Sequence, residues 1–278
     1  EAIYDDGSCE YNYGNSFIST QGDDLNCGSE EYPLLTFQQG IDISSDGDSI
    51  FVLPGTYDIG NSVDPTNYSY KSLVIKSMAG PDSTFLSGSI VASSGGSSTL
   101  SGFTFNGVYR PVSVDTGAHL LIEDCIFKNS DEETIQCNDG GSLSLQRTLI
   151  DGGRFGIHNS QGGCGISVNS TTIVNVSETA ISIRADVGLY VTNSIIYNFG
   201  SNAIHFWNET PVYLDLHYND ITGNFLSNTV DECGGGFDCN IINNIPDDPS
   251  FSDPSKGDYS LQPSSYCIDT GDPSSHLD

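Results

Sequence analysis

Apolar positions recur along this chain with a period near 23. Leu120, Leu143, Ile166, Leu189 and Val212 are each 23 residues apart, and Ile122, Leu145, Val168, Val191 and Leu214 keep the same step two residues on. Phe127, Ile150, Ile173 and Ile196 follow it as well, while Ile135, Ile157, Ile181 and Ile204 recur at steps of 22, 24 and 23. Within each repeat apolar and polar residues alternate, which is strand periodicity and not helix periodicity. Three short strands per repeat predict one coil of a solenoid. A single coil cannot bury its apolar side alone, so stacking must supply the core. The pattern therefore predicts an all-β, right-handed parallel β-helix with coils of about 23 residues.

The ends are less regular. Ser49–Tyr57, Ser72–Ser77 and Thr84–Val91 read as strands of the first coils. Pro33–Ile43 reads as a short amphipathic helix, with Leu34, Phe37 and Ile41 on one side, covering the open amino end. After residue 226 the period fades while Pro, Asp and Cys increase. The expected layout is an amino-terminal segment and helical cap over 1–48, coils over 49–226, and a carboxy-terminal cap or flap over 227–278. An Asn column, Asn129, Asn175 and Asn198 with Gly152 interrupting it, reads as a buried ladder at a turn.

Composition narrows the setting. Among 278 residues, 37 are acidic and 8 basic, for a net charge of −29. Such a field excludes nucleic acid as a partner and disfavours anionic lipid, and it attracts cations such as Ca²⁺. There is no transmembrane run. The eight cysteines show no C-x-x-C. Cys9 with Cys27, and Cys233 with Cys239 around a Gly234-Gly235-Gly236 loop, read as disulfides, which places the chain in an oxidising compartment, secreted or at a cell surface. Cys137, Cys164 and Cys267 have no partner legible from spacing, and Cys125 fits a buried thiol. Sequons at Asn67, Asn169 and Asn208 are glycosylation sites if the source glycosylates, and a fourth at Asn175 is silent if the ladder buries it.

Several phrases carry a family resemblance. "FISTQGDDLNCGSEEYPLLTFQQGID" followed by "GDSIFVLPGTY" resembles the amino-terminal cap and first coil of secreted β-helix proteins of the pectin-lyase-like superfamily. "SGFTFNG" resembles their recurrent coil phrase, and "DPSFSDPSKGDYSLQPSSYCIDTGDP" their closing segment. The leading "YDDGSCEY" resembles the end of acidic repeats in large surface proteins, so the resemblance implies a piece of a longer protein. It implies the fold over nearly the whole chain. It does not imply one activity, because that solenoid carries lyases, hydrolases, epimerases, adhesins and spacers. The Asn-Thr-Asp, Asp-Asp and Gly-His-Gly patterns of its hydrolases are missing from the coils. A lyase needs a basic residue beside the sugar carboxylate, and only four Lys and four Arg are present.

Register singles out three surface groups. If the Ile135 column points inward, then Gln136, His158, Ser182 and His205 point outward in one column, with Asn138, Ser160, Arg184 and Trp207 in the next. His158, Arg184, His205 and Trp207 then share one face, a candidate ligand-binding site where the single Trp offers a platform for a sugar ring. Ile126, Leu149, Ile195 and Tyr218, with Val174 and Tyr197 beside them, form an outward apolar stripe. Something must pack on it, either the tail at 227–278 or a partner subunit. Asp131, Glu132 and Glu133 at a coil turn are candidate Ca²⁺ ligands, without the Gly-Gly-x-Gly-x-Asp repeat of calcium-binding β-helices. Two functions fit. The first is a non-catalytic extracellular module, structural, adhesive or filament-forming, that associates with itself or with other surface proteins. The second is a carbohydrate-active enzyme, a polysaccharide lyase or hydrolase, or a glycan-binding module.

Overall fold

The computed structural model describes residues 14–63, 71–93, 95–115, 117–138, 140–184, 188–207, 213–222, 226–227 and 238–274. The chain is a parallel β-helix, the architecture implied by both the 23-residue period and the pectin-lyase-like resemblance. One face is a ten-stranded parallel sheet running from Asn15–Ile18 to Asp238–Ile242. The other two faces join into a single ladder because the long strand Thr84–Ala92 bends across the corner, pairing with Thr104–Asn106 through one half and with Val112–Val114 through the other. Gly88 permits that bend. It has φ +117°, and a Cβ there would lie 2.0 Å from the Gly60 carbonyl oxygen of the coil beneath.

A typical coil reads His119–Glu123, a two-residue turn, Ile126–Lys128, a longer turn, then Glu133–Cys137. Stacking is in register. Leu120 pairs with Leu143 and Leu143 with Ile166, Phe127 with Ile150 and Ile150 with Ile173, and Ile135 with Ile157 and Ile157 with Ile181. These side chains are essentially fully buried, and the Phe105 and Phe127 rings stack at 5.0 Å between centroids. One register differs from the sequence reading. Leu189 pairs with Leu214 and Val191 with Leu216, so this coil is two residues longer and Leu214, not Val212, takes that rung; Val212 lies outside the described residues.

The ends also differ in detail. Leu34 is not helical: its N–H donates to Phe17 O and its carbonyl accepts from Ser19 N–H, which adds a bridge to the first strand. The helix starts only at Phe37, after an N-cap at Thr36 whose hydroxyl accepts from Gln39 N–H, and it buries Phe37 and Ile41 over the first coil. At the far end Asp238–Ile242 extends the ten-stranded sheet past residue 226.

Two columns of turn residues hold successive coils together. The expected Asn column exists but is not buried: Asn129, Asn175 and Asn198 are all exposed. Asn129, Asn175, Asn198 and Gly152 all have positive φ, and the Asn198 amide donates to Asn175 at 2.5 Å. The buried polar ladder lies elsewhere, at the two-residue turn. There Thr148, Thr171, Ser194 and Asn219 are at most 3% exposed. The Thr171 and Ser194 hydroxyls each donate to a carbonyl in their own coil and accept an N–H from the coil before. Asn219 and Asn244 continue the column, each accepting an N–H from the coil before and donating its amide to a carbonyl of that coil, Val191 O and Leu216 O respectively.

The carboxy-terminal segment folds back along the solenoid. Phe251–Asp253 and Asp258–Leu261 form an antiparallel hairpin. Phe251 packs edge-on to Tyr197 at 5.9 Å, the Asn175 amide donates to the Tyr259 hydroxyl at 2.6 Å, and Asp272 N–H donates to Asn193 at 2.7 Å. Among the described residues, no helix is long and apolar enough to cross a membrane.

Candidate functional site

The register places His158, Arg184, His205 and Trp207 on the face built by Glu133–Cys137, Phe155–His158, Thr179–Ile183 and Asn202–Phe206. Gln136 pairs with His158, His158 with Ser182, and Ser182 with His205. The inward partners Ile157, Ile181 and Ile204 are fully buried, so the alternate positions face out.

Trp207 dominates this face. Its Nε1–H donates to Ser182 Oγ at 2.8 Å, and its ring meets the His205 ring edge-on at 4.6 Å. The indole is therefore pinned over Ser182, itself fully buried, while 53% of the residue stays exposed. Arg184, one coil earlier, is exposed and reaches back to the Ser160 carbonyl at 3.5 Å.

Burial lowers the pKa of both His158 and His205, so both rings are neutral at neutral pH. The Glu133 charge opposes this at His158, while Arg184, Arg110 and Arg154 reinforce it. Three of the four arginines thus act on one imidazole. His158 also stacks on Phe155 at 4.6 Å, and the Arg154 guanidinium lies 5.1 Å from the Phe155 ring centre. Its Nδ1 is buried without a hydrogen-bond partner among the described residues.

Two carboxylates of the acidic turn face arginines. Glu133 accepts from Arg110 at 2.6 Å, and Glu132 faces Arg154 at 3.6 Å. Burial alone would raise the Glu133 carboxyl, but the Arg110 hydrogen bond and charge outweigh it and hold the group below the usual range. Asp131 is exposed, and among the described residues no three His, Cys, Asp or Glu side chains are placed to hold a metal ion. At this turn Glu133 meets Arg110 of the coil before and Glu132 meets Arg154 of the coil after.

The apolar stripe is real but differently composed. Ile126, Leu149, Thr172 and Ile195 stack in one column, and the next position is Asp220, not Tyr218. Tyr218 sits at the left-handed turn, with φ 55°. Val174 is fully buried, and Tyr197 lies beneath Phe251, so the chain's own tail occupies that part of the stripe.

Cysteine pairing was missed in the sequence. Cys137 and Cys164 are disulfide-bonded and fully buried, joining the end of one coil to the turn that closes the following coil. Their separation of 27 residues is one coil plus a turn, a signal that only a known register makes visible. Cys9 and Cys233 lie outside the described residues, so the two expected bridges cannot be placed. Cys125 is a buried thiol with its pKa pushed up to about 12 by burial. Of the sequons, Asn67 and Asn208 lie outside the described residues. Asn169 ends an outward-facing strand position, where its side-chain oxygen accepts from Thr192. The sequence also gave no sign of Asn159, a fully buried amide that bridges the carbonyls of Cys137 and Gly162.

No family profile and no curated protein matches the sequence. Among solved structures, the chain is similar to AlyGC, an alginate lyase of the PL6 family, with 13% identity, a TM-score of 0.49, and coverage of 88% of this chain and 42% of that one. It is also similar to the pectate lyase Pel9A, with 10% identity, a TM-score of 0.45, and coverage of 95% and 93%. A rhamnogalacturonan lyase follows at 11% identity and a TM-score of 0.39, with coverage of 85% and 90%. The likeness is one of fold. This chain spans 42% of the length of the alginate lyase, and no residue's role is carried over from any of the three.

Proposed function

We propose that this chain is an extracellular carbohydrate-active β-helix that binds a polysaccharide along the face of His158, Arg184, His205 and Trp207. One observation carries the reading: Trp207 is held rigidly through its Nε1–H and through His205, yet 53% of it remains open to solvent. A large aromatic surface ordered before binding loses little entropy when a sugar ring stacks on it. Arg184, one coil away, supplies a donor at about 5 Å along the axis. The Cys137–Cys164 disulfide supports an oxidising compartment. The assembly reading is weaker, because the tail occupies part of the apolar stripe that it needs.

A lyase reading is favoured by His158. A neutral imidazole near Arg184 suits proton abstraction next to a sugar carboxylate, with the Arg184 guanidinium offsetting the developing negative charge while Arg110 and Arg154 are paired with Glu133 and Glu178. One experiment addresses both readings. The purified chain is run through gels containing alginate, polygalacturonate, rhamnogalacturonan or a neutral glucan, and each mixture is followed for the ultraviolet absorbance of an unsaturated product. Retardation by at least one polymer is expected, with Trp207→Ala weakening it on the order of tenfold or more. Equal retardation of the variant removes Trp207 from the site. Retardation without product leaves a binding module and rules out the lyase reading for those polymers.

A further inference from the structure

On a different face, the folded-back tail walls a groove that the proposal above does not use. Two clefts of about 560 and 530 Å³ share Ser170 and Thr172 and so run into one another along the solenoid axis. The floor is the half-exposed column of Ile126, Leu149, Thr172 and Ile195, ending at Asp220. One lip is the left-handed turn column, Asp124, Arg147, Ser170, Asn193 and Tyr218, with φ between 47° and 55°. The other lip is the tail, from Tyr259 to Asp272. Five rungs at about 4.8 Å give a floor roughly 19 Å long.

Charge and hydrogen bonding define what fits. Arg147 is the one cation lining the two clefts among the described residues. It is already held by Asp124 at 2.7 and 2.9 Å and by Glu123 at 3.0 Å. The Asp220 end carries acids instead: Asp269 and Asp272 line the cleft, and the charges of Asp247 and Asp248 act on Asp220. Asp220 is 3% exposed. Its Oδ2 accepts from the Cys267 thiol at 2.9 Å, while its Oδ1 has no partner among the described residues. A buried carboxylate oxygen without a donor is costly, and an ammonium group meets it best. The lip's N–H groups are spent, since those of Asp124, Arg147, Ser170, Asn193 and Tyr218 each donate to the carbonyl of a neighbouring coil. A peptide strand would find no donors there, whereas a sugar chain brings hydroxyls for Ser170 and Thr172 and apolar ring faces for the floor.

We propose that this groove binds an oligosaccharide of amino sugars, with ring faces on Ile126, Leu149 and Ile195 and an ammonium group at the acidic end beside Asp220. The test is calorimetric titration of the full chain, near neutral pH, with a fully deacetylated glucosamine hexamer. The N-acetylated hexamer, of the same length but neutral, is the comparison. The expected result is binding of the amine form at least tenfold tighter than the acetylated form. Asp220→Asn and Leu149→Trp should each weaken it about tenfold, with circular dichroism confirming that the variants fold. Equal binding of both hexamers, or no binding, overturns the proposal. Binding unchanged by both variants overturns it too, because the hexamer is then only a counter-ion to a chain of net charge −29. These variants lie on a different face of the solenoid from Trp207, so failure of the Trp207 reading leaves this result interpretable.

Discussion

The carboxyl of Asp220 should make the stability of this protein fall as pH rises through the mildly acidic range. Burial pushes it up to about 6 from 3.8, the Cys267 thiol opposes the shift, and the charges of Asp247 and Asp248 add to it. Between about pH 4 and pH 6 the folded chain therefore holds a proton that the unfolded chain releases. The stabilising contribution is fully present below the unfolded value and is lost as pH climbs through about 6. Each unit of difference is worth about 1.4 kcal/mol, so roughly two units give at most about 3 kcal/mol, less where water in the cleft screens the group. Asp220→Asn removes this dependence. Urea unfolding of both proteins at intervals from about pH 4 to pH 8 should give curves that diverge as pH rises, with the variant up to about 3 kcal/mol more stable at the alkaline end. The other carboxylates, whose effects dominate either curve alone, cancel in the difference. Curves that stay parallel across this range would refute the reasoning. Hydrogen exchange in Phe251–Leu261 locates the effect, since the hairpin is part of the tail that covers Asp220.

Two further outcomes concern the solenoid itself. Thr171→Val keeps the volume but deletes a hydroxyl that donates to Asn169 O at 3.0 Å and accepts from Thr148 N–H at 3.5 Å, so unfolding should cost about 1–3 kcal/mol less in denaturant titration; an unchanged midpoint would show that this ladder contributes nothing there. Cys164→Ser opens a link spanning 27 residues and should lower stability by up to about 3–4 kcal/mol, with peptide mapping of the parent protein recovering Cys137 joined to Cys164.

The fold was legible because a parallel β-helix repeats its inward side chains at the same rung of every coil. Ile135, Ile157, Ile181 and Ile204 reveal the strand, its register and the outward face of His158 and His205 together, since position along the chain and position in the stack are locked. The buried Thr148, Thr171 and Ser194 ladder keeps the same period but stayed unread, because small hydroxyl residues before a strand look the same whether a turn is solvated or sealed. The stripe misread Tyr218 for the same kind of reason. A coil two residues longer moved Asp220 into that rung, and nothing in the apolar pattern announces the change.

Sequence alone therefore determined the coil, its inward columns and the face on which Trp207 sits, because each follows from local alternation repeated at a fixed step. Tertiary structure alone decided where the carboxy-terminal segment goes. Tyr259 lies 84 residues from Asn175 and Cys267 lies 47 from Asp220, and no periodicity connects them. Their meeting depends on which exposed apolar column offers the most surface to cover and which buried polar atoms accept a partner. Both are properties of the assembled stack, and with them come the groove, the buried carboxyl of Asp220 and the contact of Phe251 on Tyr197.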